Sequence, residues 1–352
     1  MNTLHHFSRY LAILATGLAI ASGAAHAAVE PLPMSNTSIK LKAINLSGAE
    51  YSSSQISALV NVKYTYPNNA EIDYYKSKGF TAIRLPFSGP RLQPVNNGEL
   101  NGAELARIRA VVDYAASKQM YVILDPHDYG SKYDSTSKSM KLIGTKTGLP
   151  TSQLGNFWKR LALAFRSDPN VIFGIMNEPH SQTAAEWKAA ADYAIYGIRK
   201  AGAKQLILIP GTNWTAAWAW EKSGNAAQWA GYTSGGQIAF EVHQYLDSDS
   251  SGTHSSCSTG KTARALDNIS AWARANKVKL FLGETGWAQN ATCLAEGEAM
   301  TKYIGANRDV WMGLAYWSGG KWVSQSYMFM LTPSNLAAPV DKPQMKAIVE
   351  NF

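Results

Sequence analysis

Eight short apolar runs alternate with amphipathic segments along most of this chain, and that alternation limits its possible folds more than any other feature. The runs cover 39–48, 80–87, 120–125, 171–176, 205–209, 238–246, 279–283 and 311–317. Their length and continuous apolarity are those of parallel strands buried on both faces. Between them, 70–78, 104–118, 151–166, 184–200, 263–277, 294–304 and 343–352 have helical spacing. In 104–118, Leu105, Ile108, Val111, Val112 and Ala115 share one face; in 151–166, Leu154, Phe157, Leu161 and Phe165 do. Gly79 and Gly202 stand where two of these helices must stop. A strand-helix alternation needs a parallel sheet, and eight units predict closure into an α/β fold of the (β/α)8 TIM-barrel type, a single domain over 39–352. A doubly wound open sheet is the alternative. It usually carries a Gly-rich turn after its first strand, and none follows 39–48 here.

Residues with chemical potential collect at the ends of the runs. Asn177-Glu178-Pro179-His180 follows one, and Glu284 closes another. Arg84, His127, His243, Tyr245 and Trp317 sit at the ends of four more. The C-terminal edge of a parallel sheet is where chemistry happens. Two glutamates on separate strands suggest a glycosidase pair, one a proton donor and the other a nucleophile. One charged residue in a barrel could be a structural ion pair. Several, converging from six strands on one mouth, point to a catalytic site.

Residues 1–27 read as a secretory signal peptide: Arg9, a mostly apolar stretch from Leu11 to Ile20, then Ala25-His26-Ala27 as a cleavage signal. A membrane anchor is the alternative, but the stretch is short for a span. Residues 28–38 form a lead segment. The product is expected to be secreted or periplasmic, without a membrane span, and monomeric. In an oxidising compartment the only two cysteines, Cys257 and Cys293, are expected to pair, with two free buried thiols as the alternative.

Net charge is +8, but Lys and Arg are scattered without a basic run or helix face, which argues against nucleic acid. With 11 Trp and 17 Tyr against 16% charged residues, the composition fits a neutral polyhydroxylated substrate, a polysaccharide. Trp214 and Trp322 lie near run ends, where flat rings can stack on sugars. No zinc-type His/Cys spacing and no Gly-rich phosphate loop occurs, so neither metal nor cofactor is expected.

The segments Ile83-Arg84-Leu85-Pro86-Phe87, Leu124-Asp125-Pro126-His127, Phe173-Gly174-Ile175-Met176-Asn177-Glu178-Pro179-His180, His243-Gln244-Tyr245-Leu246-Asp247-Ser248-Asp249 and Gly283-Glu284 resemble glycoside hydrolase family 5. The stretch after His243, through Ser251-Gly252-Thr253 to Cys257, resembles its endo-β-1,4-glucanase (cellulase) subfamily 5 in particular. The resemblance implies retaining cleavage of internal β-1,4-glucosidic bonds by double displacement, with Glu178 as acid/base and Glu284 as nucleophile. It implies that Arg84 keeps Glu284 ionised, Tyr245 donates to it, and Asn177 bonds the sugar 2-hydroxyl. His127 and His243 orient the sugar and the acid/base, Trp317 forms the floor, and Cys257 pairs with Cys293. Retention requires the two carboxyl groups to stand about 5–5.5 Å apart. Other β-glycans (mannan, mixed-linkage glucan, an exopolysaccharide) and a catalytically silent sugar-binding protein on the same fold are the rival readings.

Three places depart from the family pattern. Ser88-Gly89-Pro90 replaces bulkier residues and is expected to open one side of the cleft. Asp128 follows His127 where Asn is usual, adding a negative charge near the carboxylates. Trp287 follows Glu284 where small residues are usual, and is a further candidate for the cleft lining.

Overall fold

The computed structural model describes residues 40–351. The signal peptide and the whole of the lead segment expected from the sequence lie outside them. Eight parallel strands close a barrel: β1 (Leu41–Leu46), β2 (Ala82–Phe87), β3 (Tyr121–Pro126), β4 (Val171–Gly174), β5 (Ile207–Pro210), β6 (Ile238–His243), β7 (Leu280–Thr285) and β8 (Trp311–Gly319). Each pairs with its neighbours in sequence, and β8 closes on β1. The connecting helices are α1 (Asn69–Ser77), α2 (Gly102–Ser117), α3 (Thr151–Phe165), α4 (Ala184–Lys200), the short α5 (Asn225–Trp229), α6 (Lys261–Asn276), α7 (Ala291–Ala306) and α8 (Met345–Asn351). This is the TIM barrel that the alternation predicts. Capping boxes start two of its helices, Asn68 with Glu71 for α1 and Thr183 with Glu186 for α4.

Side chains alternate across a strand, so every second residue faces the barrel axis. The outward residues, among them Leu85, Leu124, Phe173, Phe240, Val242 and Leu282, join the helices in one large apolar cluster. The inward ones form a smaller cluster: Leu41, Ala43, Ala82, Ile123, Ile172, Leu206, Leu208, Ala239, Phe281 and Ala315. Two residues further along the same strands the interior changes character. Asn45 follows Ala43, Arg84 follows Ala82, Asp125 follows Ile123 and Glu241 follows Ala239. The apolar floor therefore carries a charged layer, and the next inward step from β3 and β6 reaches His127 and His243 at the mouth.

One strand breaks this parity. On β7, Leu282 pairs with Val242 but Glu284 pairs with His243, the next residue of β6. On the other side Leu282 pairs with Leu314 and Thr285 with Tyr316. This is a β-bulge at Gly283–Glu284: one extra residue, which re-aims the side chains that follow it. Without it Glu284, three residues after the inward Phe281, would face the helices.

Two expectations are corrected here. Ser88-Gly89-Pro90 is not a gap in the cleft wall. It is buried, and Ser88 Oγ caps a helical turn, Gly89–Leu92, by accepting from Arg91 N at 3.2 Å. Asp128 fills the space beside Gly89: its Oδ2 accepts from Gly89 N at 2.9 Å, and a Cβ on Gly89 would lie 2.2 Å from it. Asp128 also accepts from Ser53 Oγ at 2.8 Å, and burial pushes its pKa up to about 6. Trp287 does not line the cleft either. It is fully buried, edge-on to Tyr316, and packs so close to α7 that a Cβ on Gly297 would fall within its ring contacts. An antiparallel hairpin, Ser131–Asp134 with Ser139–Leu142, was not expected; its strands are polar and half-exposed, with no apolar run to mark them.

Candidate active site

Arg84 is the hub of the charged layer and is wholly buried. Nη1 lies 3.0 Å from Asp125 Oδ2 and 3.0 Å from Glu284 Oε1, and donates to Asn45 Oδ1 at 3.0 Å. Nη2 lies 2.9 Å from Glu241 Oε1 and donates to Asn177 Oδ1 at 2.9 Å. Burial works against this cation, but Asp125, Glu241, Glu284 and Glu178 outweigh it and hold its pKa above the ordinary value. Asn45 is fixed in turn by donating to Gly283 O at 3.0 Å.

Both oxygens of Glu284 accept hydrogen bonds. Arg84 serves Oε1, and Tyr245 donates its hydroxyl to Oε2 at 2.8 Å. Burial raises the Glu284 pKa; His243 opposes this, Glu178 adds to it, and Arg84 and His127 pull it down, leaving the carboxyl above its usual range. Glu178 stands past the end of β4, which stops at Gly174, and its backbone adopts φ +38°. That region is uncommon for a residue with a Cβ, and such residues cluster at functional sites. His243 bridges the pair: Nδ1 is 2.7 Å from Glu178 Oε1 and 3.6 Å from Glu284 Oε2, while Nε2 is 3.2 Å from Glu241 Oε1. Burial would lower the His243 pKa, but the Glu284 charge and the bonds to Glu178 and Glu241 carry it up to about 10. Oxygens of Glu178 and Glu284 lie within 4.8 Å of one another.

On the opposite side His127 is set by two contacts. Nδ1 donates to Asp125 Oδ2 at 2.8 Å, and Nε2 accepts from Asn177 Nδ2 at 3.1 Å. Trp317 stacks on the His127 ring at 5.5 Å. Trp214 is half exposed and stacks at 4.8 Å on His180. A cleft of about 480 Å³ opens beside Glu178, lined by Trp214, Trp218, His243, Tyr245 and Asp249 among others. Trp322 lies exposed on the loop after β8 and is not part of that lining.

The structure thus brings together Arg84, His127, Asn177, Glu178, His243, Tyr245, Glu284 and Trp317. The sequence reading gave no role to Asn45, Asp125, Glu241 or Trp218. The first three share a legible signal, a polar residue two places after an inward apolar one on a buried strand. Trp218 sits in a long loop, where only its aromatic character marks it. Among the described residues, two groups could offer three metal ligands each, Glu178 with His243 and Glu284, and Asp247 with Asp249 and His254. Asp247 is already used: it accepts from the backbone N–H groups of Gly252, Thr253 and His254, shaping the loop after β6.

Cys257 and Cys293 are bonded, with Cα atoms 5.1 Å apart. The bond ties the loop after β6 to the first turn of α7, just past Glu284. Replacing both by serine is expected to cost about 2–4 kcal/mol in chemical denaturation. An unchanged unfolding midpoint would show that other contacts hold the loop.

Two carboxylates with oxygens this close, at the C-terminal mouth of a (β/α)8 barrel, are nearer than the pair of an inverting glycoside hydrolase and are compatible with a retaining one. The sequence comparison agrees. The chain belongs to the cellulase family, glycosyl hydrolase family 5, whose sequence model matches residues 38–320. It is 32% identical over 293 residues to endoglucanase gh5-1 of Neurospora crassa, covering 82% of this chain and 72% of that protein. An endo-beta-1,4-glucanase of Xanthomonas axonopodis pv. citri matches its fold with a TM-score of 0.83 at 41% identity, over 89% of this chain and 98% of the other. XacCel5A, solved in complex with cellopentaose, matches with a TM-score of 0.84 at 39% identity, over 89% and 99%.

Proposed function

We propose that this chain is a retaining endo-β-1,4-glucanase in which Glu284 is the nucleophile and Glu178 the acid/base. The approach of the two carboxylates to within 4.8 Å carries this reading, because an inverting pair must leave room for a water between them. The contacts divide the roles. Both Glu284 oxygens face donors, which suits an ionised nucleophile. Glu178 faces His243 Nδ1, a nitrogen that can either donate or accept. In the first step a Glu284 oxygen bonds to the anomeric carbon while the glycosidic bond breaks, and the Glu178 proton goes to the leaving oxygen. In the second, a water gives its proton to Glu178 and its oxygen displaces Glu284, which departs as a carboxylate. Asn177 and His127 bond the hydroxyls of the reacting sugar, Trp317 is the floor beneath it, and Trp214 stacks on a flanking sugar, while Trp322 on its exposed loop is a more distant contact.

The family membership and the relatives named as endoglucanases support β-1,4-glucan as substrate. The leader-like N-terminus and the disulfide support export to the periplasm or beyond. A cleft of this form takes one hydrated chain, so turnover on soluble or amorphous cellulose should exceed that on crystalline cellulose. Following cellopentaose cleavage by proton NMR tests the mechanism. The β-anomer is expected first; initial release of the α-anomer would mean inversion and remove Glu284 as nucleophile.

A further inference from the structure

Glu241 lies two residues before His243 on the inward face of β6 and is almost wholly buried. A single oxygen, Oε1, meets two cationic partners: Arg84 Nη2 at 2.9 Å and His243 Nε2 at 3.2 Å. A carboxylate can only accept, so His243 Nε2 must carry a hydrogen. That leaves Nδ1 as the ring nitrogen whose proton can come and go, and Nδ1 is the atom 2.7 Å from Glu178 Oε1. The surroundings are shaped to seat this carboxylate. A Cβ on Gly283 would lie 2.2 Å from Glu241 Oε1, and one on Gly174 would lie 3.5 Å from Oε2. A side chain larger than hydrogen at Gly283 would therefore push Glu241 off both partners.

We infer, on the basis of the proposed function, that Glu241 is a positioning residue for the acid/base: it fixes one hydrogen of His243 on Nε2 and, by its charge, holds a second proton on the Nδ1–Glu178 pair. At rest that proton sits between Nδ1 and Oε1. As the glycosidic bond breaks it passes through Glu178 to the leaving oxygen, leaving a Glu178 carboxylate opposite the bare lone pair of Nδ1. That repulsion makes Glu178 a stronger base for the water of the second step, and the water's proton restores the pair. The groups facing His243 are Glu178 from the loop after β4, Glu284 from β7 and Glu241 from its own strand, with Arg84 of β2 reaching it through Glu241. The raised pKa of His243 has the sign this arrangement requires. So does the lowered pKa of Glu241, where burial is outweighed by Arg84 and His243.

Glu241→Gln keeps the volume and an acceptor oxygen but removes the charge, and Arg84 keeps Asp125 and Glu284 as partners. The test compares kcat/KM against pH for cellopentaose and for dinitrophenyl β-cellobioside, whose leaving group departs without a proton. The basic limb for cellopentaose is expected to move down by about one unit or more, the scale of a lost neighbouring charge. Turnover of cellopentaose should fall about 10²-fold, while the dinitrophenyl substrate loses far less. Equal losses on both substrates with an unmoved limb would make Glu241 a structural residue only. Nitrogen NMR of His243 in the unaltered protein gives an independent reading: Nε2 should stay protonated across the titration, and a bare Nε2 would overturn the inference. A wild-type protein that cleaves neither substrate would instead refute the proposed function.

Discussion

Glu284→Gln is expected to lower kcat by roughly 10⁴- to 10⁶-fold, the scale for loss of a covalent nucleophile when binding and the remaining groups survive. The fold should persist. Glutamine can still accept from Tyr245, and Arg84 keeps Asp125 and Glu241 within 3.0 Å. The thermal unfolding midpoint should therefore stay close to that of the parent, and binding of cellopentaose measured by calorimetry should survive. Substantial turnover in this variant would dismiss Glu284 as nucleophile. Loss of binding together with activity would show that Glu284 also organises the substrate.

Arg84→Met should have the opposite signature, with stability falling along with activity. It leaves Asp125, Glu241 and Glu284 buried without their shared cation. Breaking a buried pair from one side typically costs about 3–5 kcal/mol, and here three carboxylates are stranded at once. The loss should be greatest at neutral pH and shrink as the pH falls, because protonating the stranded carboxylates relieves their repulsion. Denaturant unfolding of parent and variant at several pH values measures this. A variant as stable as the parent at neutral pH would mean that the three acids are neutral in the folded chain, contradicting the ion-pair geometry. Arg84→Lys should recover only part of the loss, since one ammonium cannot span Asp125, Glu241, Glu284, Asn45 and Asn177 as the guanidinium fork does.

The fold was legible because its signal is repeated: eight buried strands, each too apolar to face water, leave little choice but a closed parallel barrel. The site was legible where a polar residue followed an apolar run or stood near its end, as Glu178, Glu284 and Arg84 do. Most of what escaped lay inside the runs or in the loops. Glu241 lies inside the run 238–246, and Asp125, though it closes the run 120–125, was masked by the His127 that follows it; each is a single charge, and nothing local shows that Arg84, distant in sequence, neutralises it. The reading of Ser88-Gly89-Pro90 as missing bulk failed because small residues can mean either an empty space or one filled from elsewhere, and Asp128 fills this one. Trp287 failed for a related reason: an aromatic residue near a strand end can turn either to the mouth or to the helices, and the space left by Gly297 draws it outward.

The bulge at Gly283–Glu284 makes the chemistry depend on counting. With the same residues in an ordinary pleat, every barrel contact below would stay intact, but Glu284, three places after the inward Phe281, would turn toward the helices and away from the mouth. The extra residue that the bulge absorbs therefore sets which face the carboxylate takes. Whether this scaffold presents its second carboxylate to the mouth depends on the parity of one strand rather than on any change of side chain.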